Sequence, residues 1–173
     1  MKKSGRFQSA IAAALAIVAF TAPQATAADS APATPRIAKS ADATTRAIVA
    51  DDPQAAAAAA NVCGSSYDII SGIPLPKGVD ASLRKGTLFT YINPNTGTGC
   101  LIFDNNTGPS QYMYLKVCKM DGTACKTDSG TFSEYAGPLY VTPSACAQVT
   151  AKMGKTSSSL YINYTSEYAF PCG

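Results

Sequence analysis

The stretch QYMYLKVC, residues 111–118, carries the pattern that decides the fold class. Met113, Leu115 and Val117 occupy alternate positions, and side chains that alternate in this way lie on one face of a β-strand. Such a strand buries its apolar face and leaves the other face to solvent or to a partner. We therefore predict a half-buried strand here.

The same pattern recurs along the second half of the chain. Alternation continues in ACAQVTAKM (145–153) and LYINY (160–164), whereas GTLFTYI (86–92) and CLIFD (100–104) are apolar on both faces, as central strands are. A helix over residues 144–153, ended by Gly154, is the alternative for one segment, and the alternation there favours a strand. Six to eight short strands predict an all-β fold, a small disulfide-stapled sandwich or barrel.

The strand at 111–118 runs into the segment CKMDGTAC, in which Asp121-Gly122 is a strong turn signal. A turn at this point brings Cys118 and Cys125 together across a hairpin. The chain has no histidine and no C-x-x-C pair, which are the usual components of zinc sites and thiol–disulfide catalysts. We therefore interpret this cysteine pair as a structural disulfide.

Six cysteines, an even number, predict a disulfide framework in an exported domain. They are Cys63, Cys100, Cys118, Cys125, Cys146 and Cys172. Six cysteines allow fifteen pairings, and the sequence alone does not choose among them. If Cys118 bonds to Cys125, sequential pairing of the remaining four joins Cys63 to Cys100 and Cys146 to Cys172.

The first 27 residues have the organisation of a secretory signal peptide. A basic start is followed by the apolar run AIAAALAIVAF (10–20) and by Ala25-Thr26-Ala27, a small-x-small cleavage pattern. The apolar run is too short to span a membrane. We predict cleavage near Ala27, secretion to the cell exterior or surface, and no transmembrane segment in the mature chain.

Residues 28–60 form a zone rich in Ala, Pro and Thr that contains no aromatic residue. A segment of this composition is expected to bury too little apolar surface to offset the entropy of ordering it. We predict a disordered tail or linker, either retained or processed, in which Ala55–Ala60 is the one stretch with strong helix propensity. The folded domain is then expected to span residues 61–173.

The charge of residues 61–173 is nearly balanced, with seven acidic and eight basic side chains. Binding to a phosphate backbone requires a basic stripe, which this segment lacks. We therefore expect no nucleic-acid partner.

The absence of histidine also excludes Ser-His-Asp and Cys-His nucleophile systems. A hydrolase that uses two carboxylates is the remaining enzymatic option, and its candidate residues are Asp68, Asp104, Glu134 and Glu167. Their spacing does not force any two of them into one cleft. We therefore expect no enzymatic activity, no catalytic residues and no cofactor.

The segment DNNTG (104–108) resembles part of a calcium loop but lacks the distant bidentate glutamate, so we interpret it as a turn and expect no metal site.

Histidine is the only side chain with an unperturbed pKa between about pH 5.5 and 7.5. Since the chain has none, stability is expected to be nearly flat over that range.

Tyrosine is abundant in the predicted domain, which holds all nine of these residues. Tyr112 and Tyr114 fall on the face of their strand opposite Met113, Leu115 and Val117. Tyrosine is a common residue of binding surfaces because it combines an apolar ring with a polar hydroxyl, and it is also a routine strand former. Tyr112 and Tyr114 are our candidates for a binding surface.

Three landmarks point to a family. The segments CGSSY (63–67), EYAGPLYV (134–141) and the terminal PCG resemble, in order and spacing, the spore-associated protein A family of small secreted streptomycete proteins. The family opens with C-G-x-G-Y, where this chain has Ser66 in place of the second glycine, and its members carry a tryptophan that this chain lacks. Against a four-cysteine pattern in the family, Cys118 and Cys125 look like an added pair, which supports their being partners.

The resemblance implies an exported actinobacterial protein associated with a cell or spore surface, and it implies no catalytic residues. We predict a secreted, non-enzymatic protein whose partners are cell-wall or spore-surface components. The alternative is a soluble extracellular module that binds a glycan or a protein such as a protease. A carboxylate-based hydrolase comes third.

Overall fold

The computed structural model describes residues 34–172, and the predicted secretory signal therefore lies outside the described residues. Two helices precede eight strands. In chain order the elements are α1 (Ala43–Asp51), α2 (Pro53–Cys63), β1 (Asp68–Leu75), a 3₁₀ turn (Ala81–Leu83), β2 (Gly86–Asn93), β3 (Thr98–Asn105), β4 (Gln111–Cys118), β5 (Lys126–Phe132), β6 (Tyr135–Val141), β7 (Gln148–Thr156) and β8 (Ser159–Ser166).

The strands form two antiparallel sheets of four strands each, in the orders β1-β2-β3-β6 and β5-β4-β7-β8. The predicted fold class, a small disulfide-bonded β domain, is thereby confirmed. The segment that could have formed a helix over residues 144–153 is instead a turn followed by β7, as the alternation indicates.

The main core lies between the two sheets. Met113, Leu115 and Val117 of β4 are buried there, as the alternation in that strand predicts. They pack with Leu101 and Phe103 of β3, from the opposite sheet. Burial of side chains this size contributes about 1.5–3 kcal/mol each.

A second core lies on the other face of the first sheet. The two helices cover this face, and Ile48 of α1 and Ala56 of α2 are 1% and 0% exposed. They pack against a cluster that includes Phe89 and Tyr91 of β2 and Ile102 of β3. This second layer explains why β2 and β3 are apolar on both faces: one face meets the opposite sheet and the other meets the helices.

The structure therefore differs from the predicted disordered tail over residues 34–60. Most of this segment is helical and packed, and residues 36–38 also bond to β1 through a parallel bridge at Ile37 and Ile69. The physical reason is that alanine, although it buries little area itself, lets α2 approach the sheet closely. Ile48 and Val49 supply the larger side chains, and Cys63 is bonded to β3.

Signals for these two helices are present in the sequence. Asp42 caps α1 by accepting a hydrogen bond from the Thr45 backbone N–H at 2.7 Å. Asp52 caps α2 by accepting from the Ala55 N–H at 3.1 Å, and Pro53 occupies the first turn of that helix. Aspartate at the N-cap and proline just inside a helix are both favoured positions. The sequence-based prediction of disorder followed the composition of the whole segment rather than these local helix signals.

Trypsin is expected to cleave slowly at Arg46. This residue lies inside α1, and its guanidinium donates to the backbone carbonyls of Ala38 and Lys39 at 3.2 and 3.1 Å. A protease needs an extended segment, so α1 must open first. Lys77, exposed in the β1–β2 connection, is the internal control and should be cleaved earlier. Timed peptide mapping by mass spectrometry measures both sites, and rapid loss of residues 34–46 from an intact β domain would restore the tail interpretation.

Three disulfides join the six cysteines: Cys63–Cys100, Cys118–Cys125 and Cys146–Cys172. The first ties α2 to β3, the second closes the β4–β5 hairpin, and the third ties the C-terminal segment to the turn that precedes β7. Among residues 34–172, no helix is both long and apolar enough to cross a membrane.

Candidate functional site

A cleft of about 670 Å³ lies where the helices meet the ends of β3 and β6. Its size falls in the range of ligand sites in proteins, about 300–1,000 Å³. Most of its lining residues are of polar or charged type. The residues are Asp51, Asp52, Gln54, Ala55, Ala58, Ser82, Arg84, Asp104, Asn105, Asn106, Gly108, Ser133, Glu134 and Tyr135.

Arg84 forms one side of the cleft and is held by several partners. Its side chain is 8% exposed, and its Nη1 donates to Asp51 Oδ2 at 2.9 Å and to the Ala81 carbonyl at 2.8 Å. Asp52 Oδ2 lies 3.8 Å from Nη2. Because Asp51 and Asp52 stand at the junction of α1 and α2, these contacts fix the helical layer to the β1–β2 connection.

A hydrogen-bonded chain connects Arg84 to Asp104. Arg84 Nε donates to Thr87 Oγ1 at 3.2 Å, and the Thr87 hydroxyl donates to Asn106 Oδ1 at 2.7 Å. The Asn106 amide then donates to Asp104 Oδ2 at 2.6 Å. These bonds fix the orientation of the Asp104 carboxylate at the end of β3, on the wall of the cleft.

Asp104 is the most perturbed carboxyl group of the cleft. Its pKa is raised to about 6, mainly by burial and then by the nearby charge of Asp52, with a smaller contribution from Glu134. The Asn106 hydrogen bond and the Arg84 charge act in the opposite direction. A group that titrates near pH 6 lies inside the window in which stability is expected to be flat, so we expect Asp104 to add a pH dependence at the lower end of that window.

Asn105 holds together the wall of the cleft that the β3–β4 and β5–β6 turns form. Its side-chain amide donates to the backbone carbonyls of Pro109 and Ser133 at 2.9 and 3.1 Å, and its backbone N–H donates to the Glu134 carbonyl at 2.7 Å. This side chain therefore joins the β3–β4 turn to the β5–β6 turn. DNNTG thus spans the last two residues of β3 and the hydrogen-bonded turn that follows, and it carries one wall of the cleft.

The structure brings together two of the four candidate carboxylates and separates the other two. Asp104 and Glu134 line the same cleft. Asp68 instead accepts a hydrogen bond from Arg36 Nε at 2.6 Å, and Glu167 is an exposed residue just after β8. Within residues 34–172, no group of three or more Cys, His, Asp or Glu side chains is placed to hold a metal ion.

Sequence reasoning missed Arg84, Asp51 and Asp52. The two aspartates were assigned to a disordered segment, although Asp52-Pro53 is a helix-start signal that could have located them. Arg84 has no local signal: it becomes a cleft residue only because the helical layer folds over the β1–β2 connection.

The predicted binding surface at Tyr112 and Tyr114 lies on β4, flanked by β5 and β7. Both side chains are half-buried, and the Lys152 ammonium lies 5.5 Å from the centroid of the Tyr114 ring. This strip is separate from the cleft. A binding role for these two tyrosines stays a prediction.

The fold and the cleft together define a class: a small β protein with two sheets, three disulfides, a covering helical layer and a polar cleft at the edge of that layer. The chain is similar to Spore-associated protein A from Streptomyces coelicolor, with 30% identity over 102 residues. This similarity confirms the resemblance to the spore-associated protein A-like family. The aligned region covers 58% of this chain and 62% of the relative, less than two thirds of its length.

No protein-family model matches the chain, and no solved structure matches it either. The description of the cleft therefore depends on the geometry of this chain alone.

Proposed function

We propose that this protein is a secreted, non-enzymatic protein that associates with the outer surface of a cell or spore, through cell-wall or spore-surface components. The similarity to a relative named for its association with spores carries the proposal. The signal pattern of residues 1–27 and the three disulfides support it, because disulfides persist in oxidising compartments outside the cytosol.

Fractionation of the producing organism tests this proposal. Spores and cells are washed, and the protein is quantified in the washed material and in the medium with an antibody. We expect most of the protein to stay with the washed surface, and intact mass should show a chain that starts near Ala28. Recovery mainly from the medium would contradict surface association and favour a soluble binding module.

The cleft favours a second candidate function, the binding of a glycan. Carboxylates and amides such as Asp104, Glu134 and Asn106 make directional hydrogen bonds to sugar hydroxyls, and Tyr135 adds an aromatic ring to the lining. A glycan of the cell or spore wall would also explain retention at a surface. The cleft, rather than Tyr112 and Tyr114, is then the contact that holds the protein there.

Variants of the two surfaces distinguish these alternatives. Wall polysaccharide is mixed with the purified mature protein, and bound protein is measured after sedimentation. We expect Glu134→Gln to weaken binding about tenfold or more, because a hydrogen bond to a charged group contributes about 1.5–3 kcal/mol. Asp121→Asn, which changes an exposed carboxylate in the β4–β5 hairpin, is the matched control and should bind like wild type.

The opposite pattern would place binding elsewhere. Loss of binding in Tyr114→Ala, with Glu134→Gln unchanged, would move the contact to the tyrosine strip on β4. Loss in neither variant would contradict both surfaces.

Asp104 and Glu134 also keep a carboxylate-based hydrolase as the third candidate, because a carboxyl group with a raised pKa suits general acid catalysis. The non-enzymatic proposal predicts no new reducing ends when wall polysaccharide is incubated with the protein. Reducing ends that form with wild type and disappear with Asp104→Asn would establish the hydrolase instead.

A further inference from the structure

Four strands lie at sheet edges, β1 and β6 in the first sheet and β5 and β8 in the second. The backbone N–H and C=O groups along an edge can pair with another strand, and proteins usually cover or disrupt such edges. How each edge is treated therefore indicates where a partner strand can add.

The β1 edge is covered by the residues that precede it. Ala38 N–H donates to the Ile69 carbonyl and Ile69 N–H donates to the Arg36 carbonyl, both at 2.8 Å. Further along, Gly72 N–H donates to Thr45 Oγ1 at 2.9 Å, and Pro74 has no N–H to offer. Residues 36–38 and helix α1 thus occupy this edge.

The edges at β5 and β6 are also protected. Gly137 N–H of β6 donates to Asp128 Oδ2 of β5 at 2.7 Å, so the two edge strands face each other where the sheets approach. The next residue of β6 is Pro138, and β5 carries the charges of Lys126 and Asp128. Proline and charge on an edge strand both oppose the addition of another strand.

The β8 edge has a different character. Its sequence, SLYINYTS, contains no charged residue, no proline and no glycine, and it is rich in strand-forming side chains. Tyr161 is an extra residue in the pairing with β7, after which Ile162–Ser166 pair regularly. Within the described part of the chain, no side chain or other segment bonds to the outward backbone groups of residues 162–165.

We propose that the β8 edge is the docking site for a second copy of this chain, by antiparallel β8–β8 pairing across a twofold axis. Such an interface is isologous, since each strand offers the same backbone groups to the other. Because the residues of β8 itself carry no charge, self-pairing sets no like-charged side chains of this strand opposite each other, in contrast to pairing through β5. Two charges lie beside the strand: the ammonium groups of Lys77 and Lys85 are 5.9 and 4.7 Å from the ring centroids of Tyr164 and Tyr161. The β5-β4-β7-β8 sheet of one copy and the same sheet of the other copy then form one continuous sheet of eight strands.

The pairing segment is short, so the interface is small and the dimer is expected to be weak in dilute solution. At a surface, where copies are concentrated, the same pairing populates readily. The proposal goes beyond surface association and does not depend on it, because the purified protein in solution shows it directly.

Sedimentation velocity of the purified mature protein over a wide concentration range tests the proposal. We expect a reversible monomer–dimer equilibrium that Thr165→Lys shifts toward monomer, raising the dissociation constant about tenfold or more. Thr165 is exposed on β8, and a lysine there both opposes strand addition and brings like charges together in a dimer. Thr165→Val, an uncharged strand former at the same position, is the matched control and should dimerise like wild type.

Thermal melting at low concentration checks that both variants are folded. Hydrogen exchange gives a second readout: outward amides of residues 162–165 should gain protection as the concentration rises, and those of β5 should not. A protein that stays monomeric at every concentration, or a dimer that Thr165→Lys leaves intact, would overturn the proposal. A third result would also overturn it: the wild-type protein is monomeric in solution, yet Thr165→Lys reduces the amount of protein retained on the washed surface. That result would point to a strand from a different protein at this edge.

Discussion

Replacing Asp104 with asparagine is expected to raise the stability of the folded protein above about pH 6. The folded chain holds this carboxyl at a pKa of about 6, against an ordinary value of 3.8, mainly because burial disfavours its charge. The folded state therefore pays an electrostatic cost whenever Asp104 is ionised. The asparagine variant keeps an oxygen that accepts the Asn106 hydrogen bond and removes that cost.

The direction of the pH dependence follows from proton binding. Between about pH 4 and pH 6 the folded chain holds a proton on Asp104 that the unfolded chain has released, so the free energy of unfolding falls as the pH rises through this range. Below it both states are protonated and the cost is absent; above it the cost is constant. A shift of this size corresponds to about 2–3 kcal/mol, at 1.36 kcal/mol per pKa unit.

Denaturant unfolding of wild type and variant from pH 4 to pH 8 measures the effect. The difference between the two should be near zero at pH 4 and grow to about 2–3 kcal/mol in favour of Asp104→Asn by pH 7. Glu134→Gln is the control in the same cleft, since it leaves Asp104 in place and should keep most of the wild-type slope. An Asp104→Asn variant that is less stable than wild type at pH 8 would contradict the electrostatic account.

Such a result would also bear on function. A carboxylate that costs stability at neutral pH is typical of binding and catalytic sites, where residues are retained for their chemistry. Asp104 would then be the first residue to examine in ligand-binding experiments on the cleft.

Removing the Cys63–Cys100 disulfide with a double alanine substitution is expected to cost about 4 kcal/mol. The two cysteines are separated by 37 residues in the sequence, and a cross-link that closes a loop of this length restricts the unfolded chain strongly. The bond also ties α2 to β3, so its loss should loosen the helical layer and speed the cleavage of Arg46 by trypsin.

The hairpin disulfide provides the comparison. Cys118 and Cys125 are separated by only seven residues, and their removal should cost about 2.5 kcal/mol by the same chain-entropy reasoning. That variant should leave Arg46 as resistant as in wild type, because the hairpin lies away from the helices. Equal acceleration of Arg46 cleavage in both variants would show that the Cys63–Cys100 bond has no special role in holding the helical layer.

The strands could be predicted because each carries its own local pattern. Alternation in residues 111–118 reflects which side chains face the sheet-to-sheet core, and turn residues separate one strand from the next. The helical layer escaped prediction because α1 and α2 depend on tertiary contacts. Alanine-rich segments have too little apolar area to signal burial, and Ile48 is buried only once β2 presents Phe89 to it.

By itself the sequence determined the β fold class, the hairpin turn at Asp121-Gly122 with its flanking cysteines, and the absence of histidine chemistry, since each depends on residue type and local spacing. Only the tertiary structure decided that the helices cover the first sheet and that Arg84 and Asp104 share a cleft. The tertiary structure also determines that, among the described edge strands, β8 is the one whose edge is not covered. Those features depend on distances between segments far apart in the chain, which packing sets and local pattern does not.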